Sequence, residues 1–90
     1  MPQGVSIFLL LNWRGVSIMP TIDMTATGTN IKNLIKQKGM TITDVQKIFG
    51  FNNPGAIYKW FHGAALPTID NLVVLAAALD IKIDDIFVLN

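Results

Sequence analysis

Cysteine and glutamate are missing from the 90-residue chain, and histidine and arginine occur once each, as His62 and Arg14. The absence of cysteine excludes a disulfide scaffold, a Cys-ligated zinc site and a thiol nucleophile. One histidine cannot build a His-rich metal site. Charged residues make up only 14% of the chain while 51% are apolar, a balance that excludes a disordered, highly charged regulator. The apolar run Val5–Leu11 falls far below the ~20 residues of a membrane span. It also has no basic stretch before it and no small-x-small site after it, the marks of a signal peptide. No Ser–His–Asp grouping, carboxylate pair in a cleft or glycine-rich phosphate loop is visible. A chain this short makes one small domain without room for a substrate cleft of its own. Neither catalysis nor a bound cofactor or metal is expected.

The net charge of +1 is ordinary, but its distribution is not. Between Asn30 and Gly63, Lys32, Lys36, Lys38, Lys47 and Lys59 face only Asp44, a net of +4. From Ala64 onward Lys82 faces Asp70, Asp80, Asp84 and Asp85, a net of −3. A basic middle and an acidic end can orient a small domain in the field of a polyanion, although a solvated surface explains the same charges.

Residues 1–24 read as an N-terminal extension. Gly4-Val5-Ser6-Ile7 is echoed by Gly15-Val16-Ser17-Ile18, with Asn12-Trp13-Arg14-Gly15 as a turn between them. The pattern fits a short β-hairpin packed on something larger, or a disordered tail. Residues 25–90 read as one helical domain. Thr27 or Thr29 can cap a first helix ending near Lys38, with Ile31, Leu34 and Ile35 on one face and Gly39 as its stop. Thr41-Ile42-Thr43-Asp44 is a capping box opening a second helix that closes at Gly50. Asn53 caps a third, Pro54 occupies its first turn, Ile57, Trp60 and Phe61 face inward, and Gly63 ends it. A fourth helix spans about Ile69–Leu79, and a short fifth turn or helix covers about Ile83–Leu89. The acids near helix ends are explained by capping and the helix dipole.

The ordered set Ile31, Leu34, Gly39-Met40-Thr41, Val45, Gly50-Phe51, Ile57, Lys59-Trp60, Gly63, Leu66-Pro67, Asp70-Asn71-Leu72, Leu75-Ala76, Leu79 and Asp85-Ile86-Phe87 resembles the Cro/cI repressor-like, XRE-type helix-turn-helix domain. The Ala56–Trp60 block followed by Leu66-Pro67 looks like a bacterial regulator subgroup. The resemblance covers about two thirds of the chain. It implies an all-α, five-helix lambda-repressor-like bundle whose third helix, Asn53–His62, enters the major groove of double-stranded DNA. On that helix Gly55, Ala56, Tyr58, Lys59 and His62 lie off the core face. Asn52 and Asn53 have the chemistry to pair with adenine, and Tyr58 and Lys59 to meet bases or phosphates. Thr41 and Thr43 open the second helix, whose exposed N–H groups suit a phosphate. The alternatives are structural: Asn53 and Thr41 as caps, Tyr58 as a ring packed on the surface, His62 as a cation at a helix C-terminus.

The departures from the family pattern are also informative. Gly55 and Ala56 stand where relatives often carry a polar base reader, Ala64 and Ala65 where they often carry phosphate-binding cations, and Ile42 where a polar residue is usual. Fewer polar contacts imply weak single-site binding that dimerisation would offset. Ile35 and Phe61 replace an ion pair common in the family, an exchange that can be neutral or stabilising, and they are expected to touch. Leu72–Leu79 is apolar all round, with Val74, Ala77 and Ala78 as the expected contact with a second copy. The expected function is sequence-specific transcriptional regulation by a cytoplasmic homodimer that is not membrane-bound. The alternative is a protein-interaction module or antitoxin-like component whose fourth helix and N-terminal segment bind a protein partner.

Overall fold

The computed structural model describes residues 20–90. The expected hairpin or tail lies outside the described residues. Four α-helices follow: α1 (Met24–Gln37), α2 (Ile42–Phe49), α3 (Gly55–Phe61) and α4 (Ile69–Leu79). The chain closes with a 3-10 turn at Ile83–Asp85. The anticipated fifth helix is therefore reduced to that turn. The Asn30 side-chain amide donates to the carbonyls of Asp85 and Ile86, each at 2.9 Å. The N–H groups that would continue an α-helix are taken elsewhere, that of Val88 by the Thr27 hydroxyl and that of Asn90 by the Thr21 carbonyl.

α1 begins earlier than its sequence indicates. Its cap is Asp23, whose Oδ1 accepts from the Ala26 N–H at 2.9 Å. Thr27, expected as a cap, is a fully buried helical residue instead. Its hydroxyl accepts from the Val88 N–H at 2.9 Å and donates to the Val88 carbonyl at 3.4 Å, so the buried polar group is satisfied. The same two segments meet in an antiparallel bridge at Ile22 and Leu89. The Asp23 N–H donates to the Val88 carbonyl and the Asn90 N–H to the Thr21 carbonyl, both at 2.8 Å.

α2 opens as its sequence reads. Thr41 accepts from the Asp44 N–H at 3.1 Å while the Asp44 carboxylate accepts from the Thr41 N–H at 2.8 Å. At α3 the register moves by one residue. Pro54 holds the cap position, and Asn53 Oδ1 accepts the Gly55 N–H at 2.9 Å. The ends expected at Gly39, Gly50 and Gly63 are all left-handed glycines. Gly63 is the most constrained, since a Cβ there would lie 2.8 Å from the Met24 carbonyl as well as strain the backbone. α4 is capped by Thr68 and ends on Asp80, which takes a left-handed conformation (φ 55°) without being glycine.

Ile31 and Ile35 of α1, Val45 of α2, Ile57 and Trp60 of α3, Leu72, Leu75, Ala76 and Leu79 of α4, and Ile86 make one core. Phe49, Phe51 and Trp60 form an aromatic corner at the α2–α3 turn, with Trp60 edge-on to both phenyl rings. Ile35 is buried, but Phe61 is only half-buried, at the rim rather than inside. Both line a small cleft between α1 and α3. Among the described residues, no helix is long and apolar enough to cross a membrane.

Candidate nucleic-acid interface

α3 is held from behind and open in front. Ile57 and Trp60 are buried, whereas Gly55, Ala56, Tyr58, Lys59 and His62 are exposed. This division follows from the spacing of the apolar side chains: positions three apart share a helix face, and the intervening positions do not. Tyr58 is both packed and accessible. Its ring packs edge-on against Phe61 at a centroid distance of 6.3 Å, yet 44% of the residue is accessible. Lys59 lies in the last turn of α3, where its charge also favours the negative end of the helix, and His62 is the residue just after that turn.

Asn52 and Asn53 precede the helix and are exposed. Their chemistry differs. The Asn53 side-chain oxygen is engaged with the Gly55 N–H, leaving its amide donors. The oxygen keeps a second lone pair, but the bond to Gly55 fixes the direction of the amide, whereas bidentate pairing with adenine needs the amide turned to the base edge. Asn52 makes no side-chain hydrogen bond within the protein among the described residues.

Thr41 and Thr43 are exposed at the start of α2. Thr41 is committed to the capping box, and the Asp44 carboxylate shares the same helical turn. That negative charge opposes a phosphate at this terminus. The Thr41 N–H, then the Thr41 hydroxyl and Lys47, hold the Asp44 carboxyl below its ordinary value of 3.8. A carboxyl with a depressed folded-state pKa stabilises the fold above its unfolded pKa and loses that contribution as pH falls. The thermal midpoint of the protein should therefore drop as the pH is lowered from about 3.8. Asp44→Asn should flatten that segment of the profile, and an unchanged slope would remove Asp44 from the acid response.

Two further features were missed in reading the sequence. Thr29, Lys32, Asn33 and Lys36 of α1 line a cleft of about 350 Å³ together with Ile42 and with Tyr58, Phe61 and His62. The signal was present in the i, i+4 spacing of the two lysines, which places them on one ridge. The exposed apolar face of α4 comprises Ile69, Val73, Val74 and Ala77, whereas Ala78 is half-buried. The i, i+4, i+8 spacing of Ile69, Val73 and Ala77 puts them in one line along the helix.

The profile of the helix-turn-helix family matches residues 31–86, from the second turn of α1 to the end of the core. Among solved structures the chain is similar to the restriction-modification controller protein C.AhdI from Aeromonas hydrophila. The superposition has a TM-score of 0.63 at 23% identity, covering 72% of this chain and 97% of that one. No curated protein matches the chain. The structural likeness concerns the fold, and the profile spans more than half of the residues. On that ground the chain belongs to the XRE-type helix-turn-helix family of DNA-binding transcription regulators.

Proposed function

We propose that this protein is a sequence-specific regulator that lays α3 in the major groove of double-stranded DNA and acts as a homodimer in the cytoplasm. Residues 25–90 form the DNA-binding unit, and residues 1–24 are an extension whose last part is tied to the C-terminus. The observation that carries the reading is the two-sided character of α3. Its rear is fixed by Ile57 and Trp60, and its front presents Gly55, Ala56, Tyr58, Lys59 and His62 to solvent. Gly55 and Ala56 offer no polar group and serve close approach of the helix to base edges. Asn52 is the better adenine reader and Asn53 chiefly a cap. Lys59 and His62 contact phosphate, and Tyr58 reaches either. Thr41 and Thr43 contribute at most the free N–H groups of the first turn of α2.

The dimer contact is the stripe Ile69, Val73 and Ala77 with Val74 beside it, next to Ala78. Val73 is 54% accessible and Ile69 78% accessible, more apolar surface than a monomer of this size needs on one helix. A two-fold pair would present two copies of α3 to a two-fold operator. The same stripe favours the second reading, a module that docks on a protein partner.

Selection of binding sites from random duplexes tests the proposal. Asn52→Ala should relax the preference at one base pair by about 1–3 kcal/mol, and Lys59→Ala should weaken all sites alike. Sedimentation at micromolar concentration should show a dimer. A strict monomer would remove the α4 contact. Failure to bind duplexes at low salt would leave the protein-interaction reading in place.

A further inference from the structure

The basic residues of α1 take no part in the reading of α3, yet they share a groove with it. Lys32 and Lys36 lie one helical turn apart and are both exposed. Both border the cleft that reaches Tyr58 of α3 and His62 just beyond it. Both also border a second cleft, of about 160 Å³, that reaches Thr41 at the start of α2. Ile42 and Phe61 belong to both clefts, so the two form one continuous groove from α2 to α3. Among the described residues no carboxylate lines either part. Lysine stems can lie along an apolar floor while their ammonium groups stay at the rim. Here the rim holds two cations with no acid opposite.

The surroundings show what is missing on this flank. DNA-binding proteins direct half or more of their hydrogen bonds to phosphate and sugar. In this chain Ala64 and Ala65 carry no charge in the connection that follows α3, and Asp44 places a negative charge at the start of α2. We propose that Lys32 and Lys36 form a DNA-backbone site, gripping successive phosphates of the strand beside the groove that α3 enters. The site rests on the DNA-binding reading given above. Ammonium groups act as point charges without the fixed fork of a guanidinium, so the contact positions the domain on the duplex and carries no base preference.

The salt dependence of duplex binding by the full chain tests this. Each phosphate no longer neutralised by a lysine lowers the slope of log K against log salt by about 0.9. Lys32→Ala/Lys36→Ala should therefore reduce the slope by about 1.8, an affinity drop of about 60-fold at 0.1 M salt where the two proteins converge at 1 M. Lys32→Arg/Lys36→Arg should keep the slope. Lys38→Ala and Lys82→Ala, whose side chains border neither cleft, should also keep it. Circular dichroism of the double variant at the assay temperature should match the parent, which separates removal of charge from unfolding. If the parent binds duplex and the folded double alanine variant retains its slope, the α1 site is overturned and the α3 reading stands. If the parent ignores duplex even at low salt, both fall. Titration of the parent with inorganic phosphate at constant ionic strength should give no saturating shift of the α1 amide signals. Saturation would mark a single-anion pocket and overturn the backbone site.

Discussion

Gly28→Ala is expected to destabilise the domain by about 3 kcal/mol or more, the reverse of the gain of roughly 1 kcal/mol that this exchange usually brings inside a helix. The reason is the crossing of α1 and α3. A Cβ on residue 28 would stand 2.3 Å from the Trp60 carbonyl oxygen and 2.5 Å from that of Phe61. Both are main-chain atoms, so no side-chain rotation relieves the clash and the two helices must part. Parting them loosens Ile31, Ile57 and Trp60 together, all of them in the core. Overpacking usually costs about 1–3 kcal/mol, and a rigid obstacle places this case at or above the upper end. Urea denaturation measures it. A variant as stable as the parent would mean that the helices cross elsewhere. Because α3 carries the proposed reading face, duplex binding should weaken along with stability.

Trp60→Ala is the other large effect, at about 3–5 kcal/mol. Only 4% of the residue is accessible, and its ring meets Phe49 at 5.4 Å and Phe51 at 6.0 Å between centroids. Those two rings stack on each other at 5.1 Å, so removing the indole strips one wall from an aromatic trio as well as leaving a void. Domains of this length are commonly stable by only about 5–10 kcal/mol, so the variant should lose roughly a third or more of its stability and melt at a clearly lower temperature. Trp60→Phe, which keeps an aromatic wall, should retain a cooperative transition. A cooperative Trp60→Ala protein with a parental midpoint would show that the indole is not structural.

Most of the fold is legible in local chemistry, because local chemistry decides it. The Thr41–Asp44 box and the glycine stops at Gly39, Gly50 and Gly63 act within one helical turn, and the structure uses each as it reads. The core face of α3 follows from the spacing of Ile57 and Trp60. What could not be read depends on contacts far along the chain. Thr27 has the composition of a cap, yet Asp23 takes the cap position and the Thr27 hydroxyl inside α1 bonds instead to Val88, sixty-one positions away. The last helix shrinks to a 3-10 turn because the Val88 and Asn90 N–H groups it would need bond to Thr27 and Thr21. The end of α4 at Leu79 is legible, although Asp80 closes it in a left-handed conformation more often taken by glycine. The candidate interface divides the same way. The exposed positions of α3 follow from periodicity, but the groove shared by Lys32, Lys36 and Tyr58 exists only once α1 and α3 have crossed.

The bonds joining Thr21–Asp23 to Val88–Asn90 have a topological consequence. The segment that leads into α1 and the last three residues are fastened together like the two halves of a buckle. Fraying of α1 at its start and release of the tail are thereby one event, since neither end can loosen without unpairing the other.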